Sequence, residues 1–211
     1  MRQLRLDANM GPSSIVRELM GVAQPLIQAK ALYEVSYISQ RGEDTVEING
    51  VTFRSRVLRV NLDTVERIFP YIVTIGKALE DKASSSDDLL KQFYLETMGD
   101  MALRSSREYL ENYLKRHFGL DQVSRMNPGS LKDWPIKEQK PLFSVFGNVE
   151  DLIGVTLTDS MLMIPRKSVS GILFPTEVSF FSCQLCSRRD CPARMAPYDK
   201  TLKEKYGLQD E

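Results

Sequence analysis

The sequence is poor in the residues on which most hydrolytic and metal chemistry depends. It holds one histidine, His117, in 211 residues. That excludes a multi-histidine zinc site and argues against Ser–His or Cys–His hydrolysis. Charge of either sign is not in surplus, with 28 Lys plus Arg against 28 Asp plus Glu. A balanced chain carries no electrostatic footprint for nucleic acid or an anionic membrane. No run of about 18 apolar residues occurs, so no transmembrane helix is expected. The opening Met1-Arg2-Gln3-Leu4-Arg5-Leu6-Asp7 lacks the apolar core of a secretory signal.

Cysteine is scarce too, and all three copies fall within nine residues: Cys183, Cys186 and Cys191. Three thiols cannot all pair within one chain, which excludes a complete disulfide framework. With no signal segment, a cytoplasmic location is the expectation. The spacing Cys-x2-Cys-x4-Cys gathers soft thiolates in one short loop. That makes them candidate ligands of an iron–sulfur cluster or zinc, with Asp190, His117 or a partner's group as a fourth. Pro192, directly after Cys191, echoes the Cys-Pro that ends many ferredoxin ligand runs. The plain alternative is three idle thiols.

The remaining pattern mixes short strands with one dominant helix. Pro12 to Leu32 reads as a helix broken at Pro25, and Tyr33 to Ser39 alternates like a strand. Thr45 to Phe53, centred on Asn49-Gly50, is a hairpin signal because both residues tolerate positive φ. Asp63 to Ile68 reads as a short helix and Tyr71 to Ile75 as a strand. The longest element runs from Asp87 to Phe118, with Leu90, Tyr94, Met98, Met101, Ser105 and Tyr109 at helical spacing. Gly119 supplies its stop, and Gly99 suggests a bend or close packing. A turn-rich loop spans Asp121 to Gln139, with a short helix from Pro135 to Phe146. Strands are expected at Ile153–Leu157, Met161–Ile164, Val169–Phe174 and Val178–Ser182, and a polar helix at Asp199–Tyr206. The sum is an α+β fold: a mainly antiparallel twisted sheet packed with one long helix and several shorter ones. Residues 1–85 form an N-terminal region without a legible chemical motif, and residues 86–211 carry the motifs.

Three blocks in the second region stand in a telling order. They are Arg125-Met126-Asn127-Pro128-Gly129-Ser130, then Gly154-Val155-Thr156-Leu157-Thr158-Asp159-Ser160, then Pro165-Arg166-Lys167-Ser168-Val169-Ser170-Gly171. Over about Met98 to Gly207 the chain resembles the activation (reactivation) domain of vitamin B12-dependent methionine synthase. That resemblance implies S-adenosylmethionine as cofactor. Arg125 would meet its carboxylate, which suits the fork of a guanidinium. Gly129 would be the motif glycine, Asn127 would offer main-chain polar groups, and Glu111 would face the cationic amino group. Phe180 and Phe181 fall where the family has two ligand-bordering tyrosines. Ser130 stands where the family motif has tyrosine, which removes an aromatic wall. The cysteine spacing alone is similar to that of phosphomethylpyrimidine synthases.

The resemblance implies a protein that docks on a corrinoid-binding protein or methyltransferase and supports reductive methylation of inactive cob(II)alamin. Cobalamin would enter only through that partner, and the electron through an external donor. With 211 residues and no room for a corrinoid domain, action in trans is expected. The other reading from the residues is a non-catalytic iron–sulfur or zinc interaction module of a corrinoid methyltransferase system.

Overall fold

The computed structural model describes residues 12–188, 190–191 and 194–208. Pro192 and the Met1–Asp7 segment lie outside them. Helix α1 (Pro12–Ala23) ends in a 3-10 turn, Gln24–Leu26, that contains Pro25. Strands β1 (Lys30–Tyr33), β2 (Ser36–Arg41), β3 (Thr45–Ile48) and β4 (Val51–Arg54) follow. Next come α2 (Arg56–Asn61), β5 (Arg67–Thr74), α3 (Ala78–Ser84) and the 30-residue α4 (Leu89–Phe118). The chain continues through β6 (Val123–Met126), α5 (Gln139–Ser144), α6 (Val149–Ile153), β7 (Thr156–Leu157), β8 (Met163–Ile164), β9 (Ser168–Pro175) and α7 (Lys200–Lys205). The expected α+β class is found: a mainly antiparallel sheet with one long helix. Hydrogen-bonded neighbours run β4-β3-β2-β5-β9-β6, with β1 also on β5, while β7 and β8 pair separately.

The described residues form two compact units, one from those up to 32 with 72–110 and 149–169, the other from 33–71 and 111–148 with those from 170 on. In the first, Val16, Leu19 and Ala23 of α1 pack with Ile75, Leu79, Ala83 and with Tyr94, Leu95 and Met98 of α4. The buried stripe of α4 is thus turned from the expected one, for Leu90, Met101 and Tyr109 are exposed. Asp88 caps α4, its Oδ1 accepting from the amides of Leu90 (2.9 Å) and Lys91 (3.2 Å). Gly99 is a close-packing site: a Cβ there would sit 3.3 Å from Lys167 Cε. The Lys167 stem crosses the helix at this glycine and its Nζ reaches Glu96 (2.8 Å) and Asp100 (2.6 Å). Arg166 extends the network to Glu80 (2.7 Å) and Glu96 (2.9 Å).

In the second unit, Ile38, Val46, Ile48, Phe53, Ile68 and Phe174 are among the side chains of one apolar core. The β3–β4 hairpin turns at Asn49 (φ 51°) and Gly50 (φ 77°), as the Asn-Gly pair predicts. Two expectations fail here. Asp63–Ile68 is no helix; the helix is α2, just upstream. Its start is capped by Ser55 Oγ, which accepts from Leu58 N at 2.9 Å, and by Asp133, which accepts from the amides of Val57 and Arg56. Asp133 arrives from 76 residues away, so nothing local announces this helix. Strand β5 starts before the expected Tyr71 and runs through Pro70, a residue that normally argues against a central strand. The carbonyl of Pro70 still accepts from Glu34 N at 3.1 Å.

Candidate functional site

Strand β6 sits within what reads in sequence as a turn-rich loop. It is a terminal strand of the sheet order, antiparallel to β9, with Arg125 opposite Leu173 and Met126 opposite Ile172. Period-two alternation sends Ser124 and Met126 into the core and leaves Val123 and Arg125 on the other face. Here Arg125 meets Glu111 of α4. Arg125 Nη1 donates to Glu111 Oε1 at 2.9 Å, and the two side chains are 17% and 16% exposed. The second arm of the guanidinium, Nη2, donates to the thioether of Met195 at 3.1 Å.

Beyond β6 the chain reverses through Asn127-Pro128-Gly129-Ser130. Ser130 N donates to Asn127 O at 3.1 Å, and Gly129 N to Trp134 O at 2.8 Å. Gly129 has φ +83°, and a Cβ on it would fall 2.9 Å from Ile136 Cδ1. Both backbone and space therefore require glycine. Asn127 spends its amide hydrogens inside the fold, donating to Tyr71 Oη at 2.8 Å and to the Ser170 carbonyl at 2.6 Å. Its main-chain carbonyl closes the turn. Ser130 is exposed at the tip of the turn, and Trp134 is fully buried beneath it as the loop's anchor.

The two phenylalanines part company. Phe180 is buried in the core against Tyr206, ring centroids 5.8 Å apart, and its amide donates to Ser124 Oγ at 2.7 Å. Phe181 is half-buried at the start of a 3-10 turn, Ser182–Leu185, where its amide donates to Gln184 Oε1 at 2.8 Å. The expected strand at Val178–Ser182 is absent. His117 is exposed and stacks on Tyr113, ring centroids 5.3 Å apart.

The cysteine loop does not have the form expected of a metal centre. Cys183, Cys186 and Cys191 are half-buried free thiols. Among the described residues no three His, Cys, Asp or Glu side chains converge to hold a metal ion. A cation of the chain's own organises this loop. Arg194 Nη1 donates to the carbonyls of Cys183 (2.9 Å) and Ala196 (3.2 Å), and Nη2 to those of Cys186 (3.1 Å) and Arg188. The thiol of Cys183 accepts from Met195 N at 3.5 Å. Arg194 thus takes main-chain carbonyls of this loop, and among the described residues the three thiols are not gathered as a ligand set.

Sequence reasoning brought Arg125, Glu111, Asn127, Gly129 and Ser130 to one region but missed Met195, Arg194 and Tyr71. Met195 is 70 residues from Arg125, and no local pattern marks it. The first unit separately holds a cavity of about 470 Å³, lined in part by Ile27, Lys30, Val73, Ala102, Ser105 and Tyr109. It contains none of the expected site residues. No helix among the described residues is long and apolar enough to cross a membrane.

The family model described as "Vitamin B12 dependent methionine synthase, activation domain" matches residues 63–193, more than half the chain. The chain belongs to that family. A crystal structure of the MetH reactivation domain bound to AdoHcy has a similar fold, with a TM-score of 0.59 at 17% sequence identity. The match covers 85% of this chain and 70% of that one. No curated protein matches.

Proposed function

We propose that the chain binds S-adenosylmethionine at Arg125 and Glu111 and supports reductive methylation of cob(II)alamin held by a corrinoid protein. The observation that carries this reading is the Arg125–Glu111 pair, 2.9 Å apart and mostly buried beside the Gly129 turn. The backbone of an amino acid is a carboxylate and an ammonium a few ångströms apart. A zwitterion of that shape complements a guanidinium–carboxylate pair charge for charge, the carboxylate to Arg125 and the ammonium to Glu111. Family membership and the AdoHcy in the similarly folded crystal structure support the same ligand class.

In the overall reaction one electron from an external donor reduces the partner's cobalt, and the sulfonium methyl passes to that cobalt. The methyl–sulfur bond breaks with its electron pair left on sulfur, which yields S-adenosylhomocysteine. This chain's part is positional. Arg125 and Glu111 fix the amino-acid end, and the turn from Asn127 to Ser130, held by Tyr71, Ser170 and Trp134, gives them a rigid border. Ser130 adds no aromatic wall, and Phe180 lies in the core, so Phe181 is the remaining aromatic of the expected set. The cysteine loop contributes no metal to this reading.

Calorimetric titration of the full chain with S-adenosylmethionine and S-adenosylhomocysteine tests it, with Arg125→Met as the control that loses binding. Reconstitution with a cob(II)alamin-loaded partner and a reductant tests the reaction. Methylcobalamin no higher than without the chain overturns the proposal.

A further inference from the structure

We infer that Met195 sets ligand affinity at Arg125, by occupying the guanidinium arm that an incoming carboxylate takes. This rests on the proposed ligand site and names a determinant within it. The two arms of Arg125 are unequally held. Nη1 faces a carboxylate oxygen of Glu111 at 2.9 Å, a charge-assisted bond, whereas Nη2 faces the Met195 sulfur at 3.1 Å. A thioether is a weak acceptor. An anionic oxygen that replaces it gains a stronger bond without disturbing the Glu111 contact. Nη2 is therefore the arm a ligand carboxylate takes, and the Met195 side chain is what it displaces.

Met195 is placed for this from both sides of its own backbone. Its amide donates to Cys183 Sγ at 3.5 Å. The preceding residue, Arg194, binds the carbonyls of Cys183, Cys186 and Ala196. The backbone at Met195 is thus held, while its side chain is 56% exposed. It can swing into solvent without opening the core. The contact couples the thiol-bearing loop to the ligand site and gives that loop a purpose without a metal.

The acceptor strength at position 195 then tunes affinity in both directions. Met195→Ala, which removes the competitor, binds S-adenosylhomocysteine about threefold to tenfold more tightly than the unaltered chain. Met195→Gln, which offers an amide oxygen at similar reach, binds it more weakly by a comparable factor. A merely structural role moves both variants the same way. The experiment is calorimetric titration of the full chain and both variants, with the ¹³C-labelled Met195 methyl resonance followed during titration of the unaltered chain. Opposite shifts in affinity, with the methyl signal moving toward its solvent-exposed position as ligand binds, support the assignment. Binding only by Met195→Ala supports it as well. Unchanged affinities in both variants with a static methyl signal overturn it and leave the proposed function standing. Binding by none of the three proteins overturns the proposed function and this inference together.

Discussion

Arg125 of β6 and Glu111 of α4 form an ion pair of 2.9 Å in which both side chains are more than four-fifths buried. Fourteen residues separate them in sequence. They meet because the chain turns back after α4 and lays a short strand along the end of the sheet. Removing one partner leaves the other charge in a largely dry place. Arg125→Met is expected to lower stability by about 2–3 kcal/mol and to weaken S-adenosylhomocysteine binding by at least tenfold. Urea denaturation and calorimetry measure the two effects. A variant that binds as tightly as the unaltered chain removes Arg125 from the site.

Two glycines border the same strand for different reasons. Gly129 has φ +83°, where an L side chain is strained, and a Cβ would press on Ile136. Gly129→Ala should cost about 1–2 kcal/mol. Gly171, inside β9, has no unusual φ, but a Cβ there would collide with the Met126 carbonyl and the Asn127 amide and meet Tyr71 at 3.1 Å. Gly171→Ala should cost about 1–3 kcal/mol through overpacking. It should also displace the Asn127 contacts with Tyr71 and Ser170. Thermal melts of both variants check the ranking, and a crystal structure of Gly171→Ala checks the displacement.

The ion network on α4 gives stability two pH limits. Burial pushes the Glu96 carboxyl up, but the hydrogen bonds and charges of Lys167 and Arg166 outweigh it and hold it below its ordinary 4.5. A depressed folded pKa means that this stabilisation is complete above about 4.5 and is lost as pH falls further. Lys167 behaves in the opposite sense. Burial lowers it, yet bonds to Asp100 and Glu96 raise it above 10.5, so its contribution is complete below 10.5 and lost in stronger alkali. Stability measured by denaturant at a series of pH values should show both limbs, with the acid limb shallower in Glu96→Gln. An acid limb identical in that variant rules out Glu96 as its source.

Because a guanidinium organises the cysteine loop, metal removal should change little. Chelator treatment is expected to leave the melting temperature and S-adenosylhomocysteine binding unaltered, and the double variant Cys186→Ser, Cys191→Ser should bind like the unaltered chain. Arg194→Ala should instead loosen the loop, seen as faster proteolysis between Cys183 and Met195. Stoichiometric iron or zinc in anaerobically purified protein, released with loss of structure, contradicts this account.

The sequence by itself determined the features that short-range chemistry controls. Asn49-Gly50 can sit at positive φ with little strain, so the hairpin is legible. The long helix is legible as an element, and its end from Gly119, which takes φ +62° there, although the stripe read from its period is not the buried one. The order of the Arg125, Gly154 and Ser168 blocks carries the resemblance to the family whose model matches residues 63–193. Only the tertiary structure decided the rest. Helix α2 depends on a cap from Asp133, and β6 on pairing with β9, neither of which is local. The cysteine spacing permits a metal site, but spacing does not fix where the sulfurs point, nor that Arg194 binds the carbonyls of Cys183 and Cys186. Arg125 acquired Met195 in the same way. Contacts between residues far apart in sequence form only when the whole chain has bent them together, and no local pattern encodes that bending.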